Sequence, residues 1–545
     1  MELFESAVDW LNNVVWSTPE QFPIMIVVLL GFGIFITLRL GFVQLRRFTH
    51  GVKTVMGTYD NPDDTGDVNH FQALTTALSA TVGIGNIAGV AIAIHYGGPG
   101  ALFWMWVTAF FGMAIKYTEC TLAVKYRVQN TDGSVSGGPM YYIERGLGAN
   151  WKWLAVFFAA MAVICSFLTG NAVQANTVSD TMYSTFLIPG WITGLVTASL
   201  VGIVIIGGIK RIGQVTARLM PLMALIYVLG ALIILTLNAG NIIPAFKTIY
   251  TSAFTPEAGL FGVGSGAFLT TLVWGIKRGL FSNEAGQGSA PIAHGAAKTE
   301  EPVREGVVAL LEPFIDTIVV CTFTGLVIVS TGVWEQHHDV VFDPISKENT
   351  FEMQENTNTI IIEEGETVEG AIIRNDHETG LLYLDEARTD LFSGELNIND
   401  QKNAVIVDEE GNEVEYLYTS IIENGAPLTS LAFEKGLAPL FAGGKYIVTI
   451  CVLLFGISTA ISWSYYGDRS IQYLAGDKSI LYYKVVYLIM HFIGAIFPLA
   501  TVWAIGDIAL GLMTFPNIIA LFALSGGVAA ASTKYFNKMK EIEGA

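Results

Sequence analysis

Two stretches of this 545-residue chain place clustered glycines and polar residues inside otherwise apolar sequence. The first is Ala77-Leu-Ser-Ala-Thr-Val-Gly-Ile-Gly-Asn-Ile-Ala-Gly89, the second Trp274-Gly-Ile-Lys-Arg-Gly-Leu-Phe-Ser-Asn-Glu-Ala-Gly286. Glycine clusters weaken helix propensity and let the backbone leave helical geometry. A helix broken in this way exposes N–H groups that favour a carboxylate, and frees carbonyls that can hold an ammonium or a small cation. A zwitterion needs both. Around the first break, backbone groups of Thr81, Gly83, Gly85 and Asn86 are expected to face an anionic group. The Asn86 amide offers both a donor and an acceptor; capping the break is its competing role. Close packing of helices by small residues is the alternative reading of the glycines.

Other polar residues sit in apolar surroundings. Gly170-Asn-Ala-Val-Gln-Ala-Asn176 contains Gln174, placed either to contact a ligand or to join helices. Ser458 and Thr459 are adjacent hydroxyls, and Thr459 and Trp463 are four apart, which puts them on one helix face. Trp463 and the Trp274-Gly275 pair would narrow a pocket and so restrict it to a small side chain. Lys116, Glu119, Lys277, Arg278, Glu284, Glu312 and Asp316 lie in or near apolar segments, where charge is costly and must pair or reach water. Glu312 and Asp316 are expected to pair with Lys277 or Arg278, or to carry a coupled proton.

The elements that position these groups are membrane helices. Hydrophobic content is 52% and charged content 14%, against roughly a quarter charged in soluble domains. Residues 22–38 hold no charge and 439–466 hold only Lys445. Such runs are long enough to cross the hydrocarbon layer, and they are continuous rather than alternating, which favours helices over a barrel. Eleven spans are predicted: 22–43, 70–96, 99–127, 151–185, 189–209, 213–238, 262–293, 303–331, 440–473, 480–502 and 506–532. The two glycine-broken segments then lie five helices apart. Broken helices in matching positions of two halves are the strongest sequence pointer to a transporter's midplane site.

Basic residues (among them Arg39, Arg46, Arg127, Arg145, Lys210, Arg211, Lys298, Arg304, Arg469 and Lys534) fall in alternate connections. With eleven crossings these connections share one face, which the positive-inside rule makes cytoplasmic. The N-terminus is then outside and the C-terminus inside. Residues 335–435 carry 24 acids and 5 bases, the whole net charge of −19, and fall outside. Alternating β-branched and polar residues with glycine turns predict a small β-rich domain there. Its acidity is read as a solvated surface, with divalent-ion binding as the alternative. Cys120, Cys165, Cys321 and Cys451 lie in apolar segments without a CxxC spacing and read as core residues. MELFESAVDW lacks a basic n-region; a short amphipathic surface helix is expected rather than a signal peptide.

The run Asn69–Gly89 resembles the signature of the alanine/glycine:cation symporter family. So do Ser136-Gly-Gly-Pro-Met-Tyr-Tyr142, Gly279-Leu-Phe-Ser-Asn-Glu-Ala-Gly286 and Ser462-Trp-Ser-Tyr-Tyr-Gly467. The resemblance covers nearly all the chain except 335–435, which departs from the usual family length. It implies the leucine-transporter type of fold, with ten core helices in two inverted five-helix repeats and the first helix peripheral. In that fold the eighth core helix supplies a hydroxyl pair to sodium. Here that pair would be Ser458 and Thr459, completed by carbonyls near Ala80 and Gly83. The organisation expected is a peripheral segment and helix at 1–43, core at 70–331, the acidic insertion at 335–435, core at 440–532 and a cytoplasmic tail at 533–545.

The function expected is sodium-coupled symport of a small neutral amino acid such as alanine or glycine across the plasma (inner) membrane. The expected partners are that amino acid and the lipid bilayer, not nucleic acid. Proton coupling, or a transporter-like sensor or channel, is the alternative. An enzyme is disfavoured, since no HExxH, GxSxG or paired Cys/His set occurs.

Overall fold

The computed structural model describes residues 2–16, 18–19, 23–130, 133–255, 265–342, 349–350, 359–362, 373–374, 377–378, 381–398, 404–496 and 500–543. Helices occupy the described part of all eleven expected spans. Six are long and apolar enough to cross a membrane: Ala149–Phe186, Gly208–Leu237, Pro302–Thr331, Gly444–Ala475, Ser479–Ile496 and Ile505–Ile542. The bent pair His70–Thr81 and Gly85–Gly97, turned by 56°, makes a seventh. Ile24–Arg39 and Gly190–Ile205 are apolar but shorter. Ala101–Lys125 and Ser265–Asn283 are less apolar, because they carry Lys116 and Glu119, and Lys277 and Arg278. The protein is a multi-pass membrane protein.

The first break forms as the glycines predict. A capping box starts its helix: Asn69 Oδ1 accepts from Gln72 N at 2.8 Å, and Gln72 Oε1 accepts from Asn69 N at 3.2 Å. The α-helix ends at Thr81, Val82 turns out of helical geometry, and the chain resumes as a π-helical turn, Gly85–Gly89, before Val90–Gly97. The second break differs from expectation. Ser265–Asn283 is one continuous helix through Trp274, Gly275 and Gly279, and the chain leaves helical geometry only at Glu284–Gly288. Glu284 has φ +53°, Gly286 +89° and Gly288 +85°. Gly275 and Gly279 serve close approach instead. A Cβ at Gly275 would lie 2.6 Å from Trp104 Cβ, and one at Gly279 3.1 Å from Thr108 Cβ. The i→i−4 ladder survives because Ala101–Lys125 needs those glycines as a flat contact surface.

The acidic region divides in two. Strand His338–Phe342 pairs antiparallel with Leu417–Ile421, and Thr359–Ile362, Gly394–Ile398, Ala404–Asp408 and Glu413–Val414 form a separate four-stranded sheet. Gly425–Leu437, inside the span read as β-rich, is instead a helix buried along Leu428, Ala432, Phe433 and Leu437. It belongs to the membrane core: Phe433 stacks on Tyr227 with centroids 5.4 Å apart, and Thr429 Oγ1 donates to Ile87 O in the first break at 3.0 Å. The N-terminal helix Glu2–Trp16 also packs inward at its end, where Trp16 Nε1 donates to Asp507 O at 2.8 Å.

Candidate functional site

The first break meets the Gly444–Ala475 helix at its hydroxyl pair. Thr459 Oγ1 donates to Ser79 O at 3.1 Å and Ser458 Oγ to the same carbonyl at 3.3 Å. Ser458 also reaches Phe455 O on its own helix at 3.2 Å, the local bonding common for serines in helices. Gly83 closes the cluster, since a Cβ there would lie 2.8 Å from Thr459 Oγ1, with the Thr81 and Ala80 carbonyls 3.8 and 3.9 Å away. Hydroxyls and carbonyls without a carboxylate are hard neutral oxygens, suited to a monovalent alkali ion. No cluster of three His, Cys, Asp or Glu able to hold a metal ion occurs among the described residues.

Beside this cluster lies a cavity of about 30 Å³ lined by Ala80, Thr81, Gly83, Ile84, Gly85, Thr169, Gln174, Phe281, Glu284, Thr459, Trp463 and Leu510. Seven of the eleven residues singled out from the sequence line it: Ala80, Thr81, Gly83, Gly85, Gln174, Thr459 and Trp463. The walls are built locally. Leu168–Ala172 is a π-helical turn whose Gly170 faces the Trp463 indole, and a Cβ at Gly170 would collide with that ring. Gln174 Nε2 donates to Thr169 O at 3.1 Å, leaving Gln174 Oε1 buried without a hydrogen-bond partner. An unpartnered buried oxygen at a cavity wall is an acceptor ready for a ligand. Ile84 and Gly85 begin the half-helix, whose first N–H groups have no intrahelical acceptor.

Four expected residues fall elsewhere. Asn86 is a brace rather than a cavity wall. Its Oδ1 accepts from Gly83 N at 2.9 Å, and its Nδ2 donates to Asp316 Oδ1 at 2.6 Å and Ser282 Oγ at 3.2 Å. Trp274 stacks on Tyr96, centroids 4.6 Å apart, away from the cavity, and Gly275 faces Ala101 and Trp104. The chain leaves helical geometry at Glu284, ten residues beyond Trp274, and it is Phe281 and Glu284 that line the cavity. Ser458 joins the hydroxyl–carbonyl cluster at Ser79 O but not the cavity wall.

Sequence reasoning missed Ser79, Phe281 and the role of Glu284, a carboxylate 6% exposed at a strained backbone position, whose Oε2 accepts from Ser289 Oγ. It also missed a chain of buried ionisable groups. His70 and His294 both bond Glu305, His294 bonds Glu312, and Glu312 Oε2 lies 2.9 Å from Lys116 Nζ. Histidines in membrane segments are as costly as other ionisable residues and were a readable signal. Glu312 therefore pairs with Lys116 and His294, not with Lys277 or Arg278. Asp316 pairs with none of these. It accepts from Asn86, from Ser282 Oγ at 2.6 Å and from Thr317 Oγ1 at 2.7 Å.

Comparison with known proteins gives the family. The model of the Sodium:alanine symporter family matches residues 1–360 and 404–544, so only 361–403 of the acidic region falls outside it. The chain is 41% identical to the sodium/alanine symporter AgcS of Methanococcus maripaludis over 543 residues, 99% of each protein. It is 32% identical to the putative sodium/proton-dependent alanine carrier protein YrbD of Bacillus subtilis, over 97% of this chain and 92% of that one. It is 29% identical to the probable sodium/glutamine symporter GlnT of Bacillus subtilis, over 99% and 92%. A cation-coupled amino-acid transporter rather than an enzyme, this chain belongs to the sodium:alanine symporter family.

Proposed function

We propose that the protein carries a small neutral amino acid, alanine or glycine, into the cell together with sodium by alternating access. The observation that carries this reading is the cavity, where one wall offers half-helix N–H groups at Ile84–Gly85 and the other offers Glu284 and the unpartnered Gln174 Oε1. The first suits a carboxylate and the second an ammonium. Trp463 and Phe281 leave little room for a side chain. Sodium would sit on Ser79 O, Ser458, Thr459 and the carbonyls near Ala80 and Gly83, against the same break, so ion and substrate order one segment and bind together. The arrangement proposed is eleven crossings in two inverted five-helix repeats of the leucine-transporter type, N-terminus outside and C-terminus cytoplasmic. A cysteine at exposed Ala387, in the acidic region, is then labelled by an impermeant maleimide in intact cells; labelling only after permeabilisation overturns the orientation.

Proton coupling is the second reading, and one observation sharpens it. Glu312 is already neutralised by Lys116 and His294, whereas among the described residues no Lys, Arg or His lies within ion-pair distance of buried Asp316. Of these two carboxylates, a coupled proton would reside on Asp316. Uptake of labelled alanine into proteoliposomes separates the readings. Concentrative uptake driven by a sodium gradient without a pH gradient is expected. Uptake driven only by a proton gradient, and lost in Asp316→Asn, overturns the sodium reading.

A further inference from the structure

A groove on the outer surface has no role in the transport site. It runs between Ile24–Arg39 and the Ala500–Glu543 helix and is lined by Val27, Gly31, Phe35, Ile519, Phe522 and their neighbours. Its volume is about 570 Å³, within the ~300–1,000 Å³ of small-molecule sites. The lining carries no charge. Gly31 keeps it open, with nothing within 4 Å of where its Cβ would stand, and stacked Phe35 and Phe522, centroids 4.9 Å apart, form the floor.

One end of the groove is cationic. Arg39 stands one turn beyond Phe35, its guanidinium 5.5 Å from that ring's centroid. The Ala500–Glu543 helix has a Gly526-Gly527 step at the same level. A Cβ on Gly526 would lie 3.1 Å from Arg39 Nη2, and one on Gly527 3.3 Å from Lys125 Nζ. The step thus lets two cations approach the same turn of the helix. Neither forms an ion pair with a carboxylate among the described residues, and both are exposed. Two cations at one end of an apolar groove, neither paired with a carboxylate, attract an anionic group.

The dimensions fit one leaflet. Val27 to Arg39 is twelve residues, ~18 Å of helix, against ~15 Å for half the hydrocarbon core. The apolar groove would reach from the cations toward the bilayer midplane. Basic pockets between membrane helices on the cytoplasmic side suit anionic headgroups.

We propose that this groove binds an anionic phospholipid of the cytoplasmic leaflet, its phosphate on Arg39 and Lys125 and an acyl chain along Gly31, Phe35, Ile519 and Phe522. The bound lipid fastens the peripheral Ile24–Arg39 helix to the helix that also bears Leu510 of the transport cavity. The leaflet assignment rests on the orientation proposed above; the site itself does not.

The test reconstitutes the full chain into nanodiscs of phosphatidylcholine with 30% phosphatidylglycerol, so that the anionic lipid is present in both leaflets. Lipid retained after detergent extraction is then identified by native mass spectrometry. Wild type is expected to retain phosphatidylglycerol at about twice its 30% share or more. Arg39→Gln with Lys125→Gln should lose that preference while still taking up alanine in phosphatidylcholine vesicles. Gly31→Phe, whose Cβ has nothing within 4 Å and whose ring would occupy the groove, should lose retained lipid of either kind. Retention that is unselective in wild type, or equally selective in the double variant, overturns the proposal. So does a Gly31→Phe protein that keeps its phosphatidylglycerol, or a groove closed by a second copy of the chain and holding no lipid.

Discussion

Thr459 carries two duties at one atom. Its hydroxyl holds Ser79 O in the first break and also stands where Gly83 leaves no room for a side chain. Thr459→Ala removes the hydroxyl and keeps a strong helix former. The sodium concentration for half-maximal alanine uptake should rise ~10-fold, about 1.4 kcal/mol of lost ion binding, with folded yield near wild type. Unchanged sodium dependence would take Thr459 out of the ion site. These hydroxyls stood out as an adjacent pair in an apolar helix, and it is the family resemblance that implied sodium for them. Glu284 was seen only as an ionisable residue in costly surroundings. Its place in the cavity follows from a left-handed backbone turn, which no side-chain pattern encodes. Asn86 was singled out for its double hydrogen-bonding capacity, and it uses that capacity on Gly83 and Asp316 rather than on the cavity.

At the scale of elements, the glycines of the two broken segments illustrate what sequence can and cannot say. A glycine that breaks a helix and one that lets two helices touch carry the same propensity. Only the neighbouring surface separates them. Gly83 and Gly85 border a true break. Gly275 and Gly279 lie in an intact helix pressed on Ala101–Lys125. Gly275→Leu should therefore act as an overpacking change, costing ~1–3 kcal/mol or more of stability. Its signature is a lower thermal unfolding midpoint in detergent, with the sodium dependence of the surviving protein unaltered. A variant of normal stability but shifted sodium or alanine affinity would return Gly275 to the site. The long apolar helices were legible because apolar length is a direct physical requirement of the bilayer. The π-helical turns, the place where the second segment leaves helical geometry and the buried His–Glu–His–Glu–Lys chain were not, since they depend on which helices become neighbours.

At the scale of the whole molecule, the acidic region proves to be two things joined in sequence. Its strands pair with one another, while helix Gly425–Leu437 packs on the membrane core and reaches the first break through Thr429 and Ile87. Composition marked 335–435 as one unit because acidity and β-branched residues dominate the average, and the apolar face of thirteen helical residues was diluted within it. The distinction has a consequence for deletion. Phe342 and Leu417 are partners across an antiparallel pair, and opposite residues lie ~5 Å apart, so two residues can bridge them. Replacing 343–416 by Asn-Gly converts His338–Phe342 and Leu417–Ile421 into a closed hairpin and leaves the helix in place. Sodium-driven alanine uptake should stay within about twofold of wild type, an activation difference of only ~0.4 kcal/mol. A larger deletion, 337–433 replaced by a Gly/Ser linker, also removes Thr429 and most of the helix. It should lose most alanine binding even when inserted, because Ile87 O and the buried face against Tyr227 are stripped of their cover. If both deletions transport normally, the helix does not support the break; if the hairpin version is folded yet cannot bind alanine, the strands themselves contribute to the site.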